Sequence, residues 1–138
     1  MTYAPHASSD RSRRARRVQR FGQIGLVLLL GAVIWQLALT SQRFGIQFVP
    51  HQDVYEHILA FAALGFCLGL GADWRRLCLS ALMLTAFAFA IEWAQGALTS
   101  TREPHLSDAL ASMSGAGLGL IAAATLCALL RRWKAARA

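Results

Sequence analysis

Apolar and polar positions fall in long blocks along this chain, not in the short periods of amphipathic helices or half-buried strands. Nothing charged separates Arg20 from Arg43, and between them runs GQIGLVLLLGAVIWQLALT. A second block opens with Asp53, Glu56 and His57 and continues as ILAFAALGFCLGLGA. The third, 77–98, carries one charge, Glu92, with Gln95 beside it, and the fourth, 106–130, is uncharged after Asp108. A helix that crosses a bilayer needs about 20 mostly apolar residues. The blocks therefore predict four spans, at 22–39, 54–72, 77–98 and 106–130. The first is too long for a signal-peptide core of about 7–15 residues and lacks a small-residue cleavage pattern, so it reads as an uncleaved anchor. The expected fold class is all-α, a polytopic membrane protein built as a four-helix bundle.

Composition strengthens that reading. Of 138 residues, 56% are hydrophobic and 15% charged, whereas soluble domains carry about 25% charged residues. The chain has too few charges to cover a water-facing surface of its size, which excludes most ordinary soluble domains. Cys67, Cys78 and Cys127 sit among Leu, Phe and Ala; they form neither an even disulfide set nor a metal-binding pair and read as small apolar packing residues.

The net charge of +7 matters through where it lies. Arg11, Arg13, Arg14, Arg16, Arg17 and Arg20 precede the first span, Arg75 and Arg76 join the second to the third, and Arg131, Arg132, Lys134 and Arg137 close the chain. Twelve of the fourteen cations thus fall on one side, and only Arg43 and Arg102 on the other. Cytoplasmic loops carry the Lys and Arg excess. Both termini are therefore expected in the cytoplasm, with Gln47 and Thr101 outside and the protein in the cytoplasmic (inner) membrane. The organisation expected is a disordered basic tail, 1–21, a transmembrane domain, 22–130, and a second basic tail, 131–138. Beside a bilayer such clusters attract anionic headgroups, so the partners expected are lipids and not nucleic acid. Arg13 and Arg14 lack the hydrophobic continuation of a twin-arginine export signal.

On this topology the other polar residues gather at one face. Asp53, Glu56 and His57 occupy the outer turns of the second span, Glu92 and Gln95 lie one to two turns below the outer end of the third, and Arg102 and His105 fill the next loop. Asp108 opens the fourth. Asp53 and Glu56 also have the spacing of an N-cap and its N3 partner, Asp108 beside Ser107 suits the positive end of a helix dipole, and Asp53 stands four residues before His57, placed to hold it. A carboxylate inside the bilayer costs at least about 2.5–3.5 kcal/mol and normally faces the bundle and marks function. Glu92, with Gln95 three residues on, is therefore the strongest candidate for a working site. Asp108, Ser112, Gly115 and Gly119 form one stripe, and Gly65 and Gly69 repeat the four-residue spacing. Stripes of small residues let membrane helices approach closely, so Ser112 and these glycines are expected to pack helices.

The segments Asp53-Val54-Tyr55-Glu56-His57-Ile58-Leu59-Ala60-Phe61, Glu92-Trp93-Ala94-Gln95, Arg102 with Asp108, and Gly115 with Gly119 together resemble the VanZ-like family. The resemblance spans about Asp53 to Gly119 as a D-x3-H-x3-F motif, an E-x2-Q motif and an R-x5-D-x6-G-x3-G motif in order. It implies a small integral membrane protein, commonly of four helices, and carries Asp53, His57, Glu92, Gln95, Arg102 and Asp108 over as the family's polar set. One member gives the family its name through resistance to the glycopeptide teicoplanin; no reaction is implied. Val54 stands where members often have Lys, which removes an ammonium from that corner, and Ser112 stands where they usually have Asn.

The leading functional expectation is a binding or accessory role in the cell envelope. In this reading the six polar residues form an outer-leaflet pocket for an envelope lipid or cell-wall precursor. A small proton-coupled transporter using Glu92 is the alternative, although coupling sites usually lie nearer mid-depth. A membrane enzyme acting on a lipid headgroup through Glu92 or Asp108 with His57 ranks third, because no nucleophile accompanies the histidine in a motif. Neither a metal nor another cofactor is expected, and the sequence is silent on oligomeric state.

Overall fold

A computed structural model describes residues 6–39, 52–98 and 105–137. It is all-helical, with α1 (His6–Leu39), α2 (Gln52–Gly69), α3 (Trp74–Leu98) and α4 (Leu106–Ala135). α3 and α4 are long and apolar enough to cross a membrane, while α1 and α2 carry the shorter apolar stretches Phe21–Gln36 and Val54–Gly69.

Each boundary has a local cause. α2 ends where Gly69 and Gly71 meet: Gly71 adopts φ 68°, a left-handed conformation that glycine takes without steric penalty. Leu70 N still donates to Phe66 O at 3.2 Å, and Ala72 N to Gly69 O at 3.1 Å, closing the last turn. Two residues later Asp73 starts α3, its Oδ1 accepting from Arg76 N at 2.9 Å as an N-cap does. α4 follows His105, whose extended backbone (φ −114°, ψ 120°) sets the helix entry.

The expected organisation needs correcting at four boundaries. α1 begins at His6 and not near 22, so the basic segment expected as a disordered tail is helical from 6 onward. Pro5 stands just before the first helical residue, and no Gly or Pro interrupts the run until Gly22; Ala and Arg favour the helix. α4 continues to Ala135, through the basic residues expected beyond 130 as a tail. α2 stops at Gly69 and α3 starts at Trp74, earlier than the expected 72 and 77, because Gly71 and the Asp73 cap fix the turn.

α2 and α4 share the most extensive helix contact and run in the same direction. Gly115 lies on the backbone of Ile58, Gly119 on Ala62 and Phe66, Gly65 on Ala116, and Gly69 on Leu120 and Ala123. A Cβ on Gly119 would stand 2.7 Å from Phe66 N, and one on Gly115 2.9 Å from Ile58 Cα. The four glycines bring two helix backbones into contact, as small-residue stripes do in membranes. Phe61, Leu64, Leu84, Ala88, Ile91 and Ala116 form the core, covered by Val27, Leu30, Ile34 and Trp35 of α1. Trp35 stacks on Phe87 at 6.3 Å between ring centroids, and Phe61 tilts against the same ring at 5.8 Å. α1 is also pinned by Gln23, whose Nε2 donates to Cys67 O and Leu70 O, carbonyls that the end of α2 leaves without helical partners. Of the cysteines, Cys67 and Cys127 are half-buried and Cys78 is exposed; all three are free thiols.

Candidate functional site

Parallel packing of α2 and α4, with α3 reversed, puts the first turns of α2 and α4 beside the last turns of α3. Glu92 lies six residues before the end of α3, about 9 Å from it by helix rise. Its side chain is buried at 6% exposure, and Gln95, one turn on, at 2%. Ile91 and Ala94 flank them in the same buried face, so the pair points into the bundle.

Three groups converge there. One ligand-capable atom from each of His57, Glu92 and Asp108 lies within 4.8 Å of the other two. Glu92 Oε2 accepts from His105 N at 3.0 Å, while Glu92 Oε1 is buried with no hydrogen-bond partner among the described residues. His57 Nδ1 meets Ser112 Oγ at 3.0 Å, which ties the imidazole on α2 to a fully buried hydroxyl on α4. Asp108, half-buried in the first turn of α4, takes a hydrogen bond from Ser107 Oγ at 3.2 Å. The positive ends of two helix dipoles, α2 and α4, flank this corner, which favours carboxylates there.

His57, Glu92 and Asp108 are brought together, with Gln95 buried and partnered beside them. Asp53 falls within the first turn of α2, one residue after its start, and its side chain lies outside the described residues. Arg102 lies outside them too, as do Gln47 and Thr101. Ser112, assigned by its spacing to helix packing, also orients His57. The backbone amide of His105 was missed altogether, because a main-chain donor has no residue signature.

A serine hydroxyl on an imidazole is also the pairing of nucleophilic catalysis. Here the hydroxyl belongs to a residue only 2% exposed beneath the α2 and α4 contact. An entering ligand would meet Asp108 and His57 before Ser112. A groove of about 370 Å³, lined by Trp74, Leu77, Cys78, Ala81, Leu120 and Ile121 among others, sits between α3 and α4 towards their opposite ends. It is apolar and separate from the polar cluster.

No protein-family model matches the chain, and no curated protein or solved structure is detectably similar to it.

Proposed function

We propose that this chain is a four-span protein of the cytoplasmic membrane, of VanZ-like type. In this reading the cluster of His57, Glu92, Gln95 and Asp108 opens at the outer leaflet and binds an envelope ligand in a binding or accessory role, with Asp53 and Arg102 as further candidate ligand-binding residues. The observation that carries it is the buried carboxylate of Glu92, which has one oxygen without a partner among the described residues and lies in one cluster with an imidazole and a second carboxylate. An unsatisfied polar atom at such depth is costly to retain, and a ligand would satisfy it.

Several features support the membrane setting. Only 33% of an 18-residue apolar stretch of α3 and 28% of one of α4 are buried inside the protein, and large side chains, Leu82 and Met83 on α3, Leu118 and Ile121 on α4, face outward. Trp74 and Trp93, both exposed, stand nineteen residues apart on α3, about 28 Å of helix, which matches a hydrocarbon core of about 30 Å with an aromatic belt at each interface. Tyr55 adds to the belt at the polar-cluster end and Trp133 to the other. α2, at 18 residues, is about 27 Å long and spans the same thickness. Arg75, Arg76, Arg131, Arg132 and Lys134 fall at the end opposite the cluster, the end the positive-inside rule makes cytoplasmic.

Glu92 lies about 9 Å from the end of its helix, shallower than midplane coupling sites. That depth favours binding over proton-coupled exchange. The test is Glu92→Gln, which keeps the volume and deletes the charge. The variant is expected to accumulate normally in the membrane and to lose whatever envelope phenotype a deletion strain shows. Full complementation by E92Q would defeat the reading and leave Glu92 as an interhelical hydrogen-bonding group.

A further inference from the structure

The same corner has the donor set of a metal centre. We infer that His57, Glu92 and Asp108 bind one divalent transition-metal ion, Zn2+ or Mn2+, an assignment that rests on the proposed ligand site and gives it a chemical identity. Each residue comes from a different helix, and each offers one ligand atom within 4.8 Å of the others. In a tetrahedral zinc site with bonds of about 2.1 Å the ligand atoms stand about 3.4 Å apart. The cluster is therefore at most about 1.4 Å wider than a closed site, and binding would require the side chains to draw together by that amount.

Two independent observations point to a ligand here. Glu92, one of the three residues of this cluster, is more than nine-tenths buried, and its Oε1 has no hydrogen-bond partner among the described residues. A cation would satisfy that oxygen and relieve the repulsion between two carboxylates in one site. His57, moreover, is held through Nδ1 by the buried Ser112 hydroxyl. Metal-bound imidazoles are oriented in this way: one ring nitrogen is fixed by a hydrogen bond and the other presents its lone pair. With the proton on Nδ1, Nε2 is the ligating atom. His105 N plays the corresponding part for Glu92 by fixing Oε2.

One imidazole and two carboxylates favour a borderline or hard cation over a soft one. Three protein ligands leave a coordination position open, where water or an oxygen of an envelope ligand would complete the shell. The sequence contains no metal-ligand spacing because the three residues meet only through tertiary packing.

The test uses full-length protein in detergent, free of any polyhistidine tag, with Cys67, Cys78 and Cys127 replaced by Ala so that thiols do not contribute. After chelator treatment and equilibration with ZnCl2 or MnCl2 alone, elemental analysis is expected to find one ion per chain, and chelator competition to give micromolar or tighter affinity. Asp108→Asn and E92Q should each weaken binding at least about tenfold, and Ser112→Ala about 10–100-fold. Asp73→Asn, in an exposed pair with Arg76, should leave binding unchanged. Circular dichroism and gel filtration of each variant separate lost binding from lost fold. No stoichiometric ion in the parent chain, or binding unaffected by both E92Q and D108N, overturns the assignment. A chain that binds no metal while E92Q still abolishes the envelope phenotype would overturn the metal and leave the binding site standing. Stoichiometric metal with full complementation by E92Q would uphold the metal and remove the envelope role.

Discussion

Gly119→Ala adds one methyl group where no space exists. The new Cβ would meet Ala62 O and stand 2.7 Å from Phe66 N and 2.9 Å from Ala62 C, whereas non-bonded carbon contacts are comfortable at about 3.5–4.0 Å. Every one of these neighbours is α2 backbone, which no rotamer change can move. The two helices must separate by roughly an ångström, and overpacking of this kind costs about 1–3 kcal/mol. The gain in helix propensity from Gly to Ala offsets at most about 1 kcal/mol. Gly115→Ala meets Ile58 in the same way. Gly117→Ala supplies the internal control: a Cβ there meets nothing within 4 Å, so it should be neutral or stabilising by up to about 1 kcal/mol. Unfolding in mixed micelles, followed by tryptophan fluorescence, should rank G117A at or above the parent and G115A and G119A below it. A difference of about 1.4 kcal/mol is tenfold in the unfolding equilibrium. If G115A and G119A unfold at the same detergent fraction as G117A, the close contact of α2 and α4 is not the one described.

Two further outcomes are expected. Gln23→Ala removes the donor to Cys67 O and Leu70 O and should destabilise the docking of α1 by about 1 kcal/mol, visible as faster proteolysis of the α1 region with α2 to α4 still protected. A single Cys placed at Gln47 or Thr101 in a cysteine-free background should react with an impermeant thiol reagent in intact cells; labelling that needs permeabilisation would reverse the proposed topology.

The charge gaps carry the helix count, because the cost of charge in an apolar environment is written residue by residue. Glu92 and Gln95 stand out for the same reason: polar side chains in an apolar block need something to face. The glycine pairs are legible from their spacing alone, yet their partners are not. That Gly119 rests on Ala62 and Phe66 depends on the relative shift of α2 and α4, which no local pattern encodes. α1 starts well before the apolar run: dense positive charge suggests disorder, while Ala and Arg over 6–20 also favour a helix that the apolar run can extend backwards. That His57, Glu92 and Asp108 belong to one face is legible from the topology, while Arg102 and the Asp53 side chain lie outside the described residues. The main-chain donor at His105 and the second role of Ser112 required the turn into α4 and the α2 contact.

The proposed site requires His57, Glu92 and Asp108 to meet at one end of the helices. In a cysteine-free chain, paired cysteines at 57 and 92, and at 92 and 108, should be joined in native membranes by a short bis-thiol cross-linker and recovered as linked peptides by mass spectrometry. A pair at 57 and 133 serves as the control, since about 37 Å of α4 separates Asp108 from Trp133. Efficient linkage of the first two pairs and none of the third is the expected result. If neither 57 with 92 nor 92 with 108 can be joined while the chain stays folded, the three groups do not share a site.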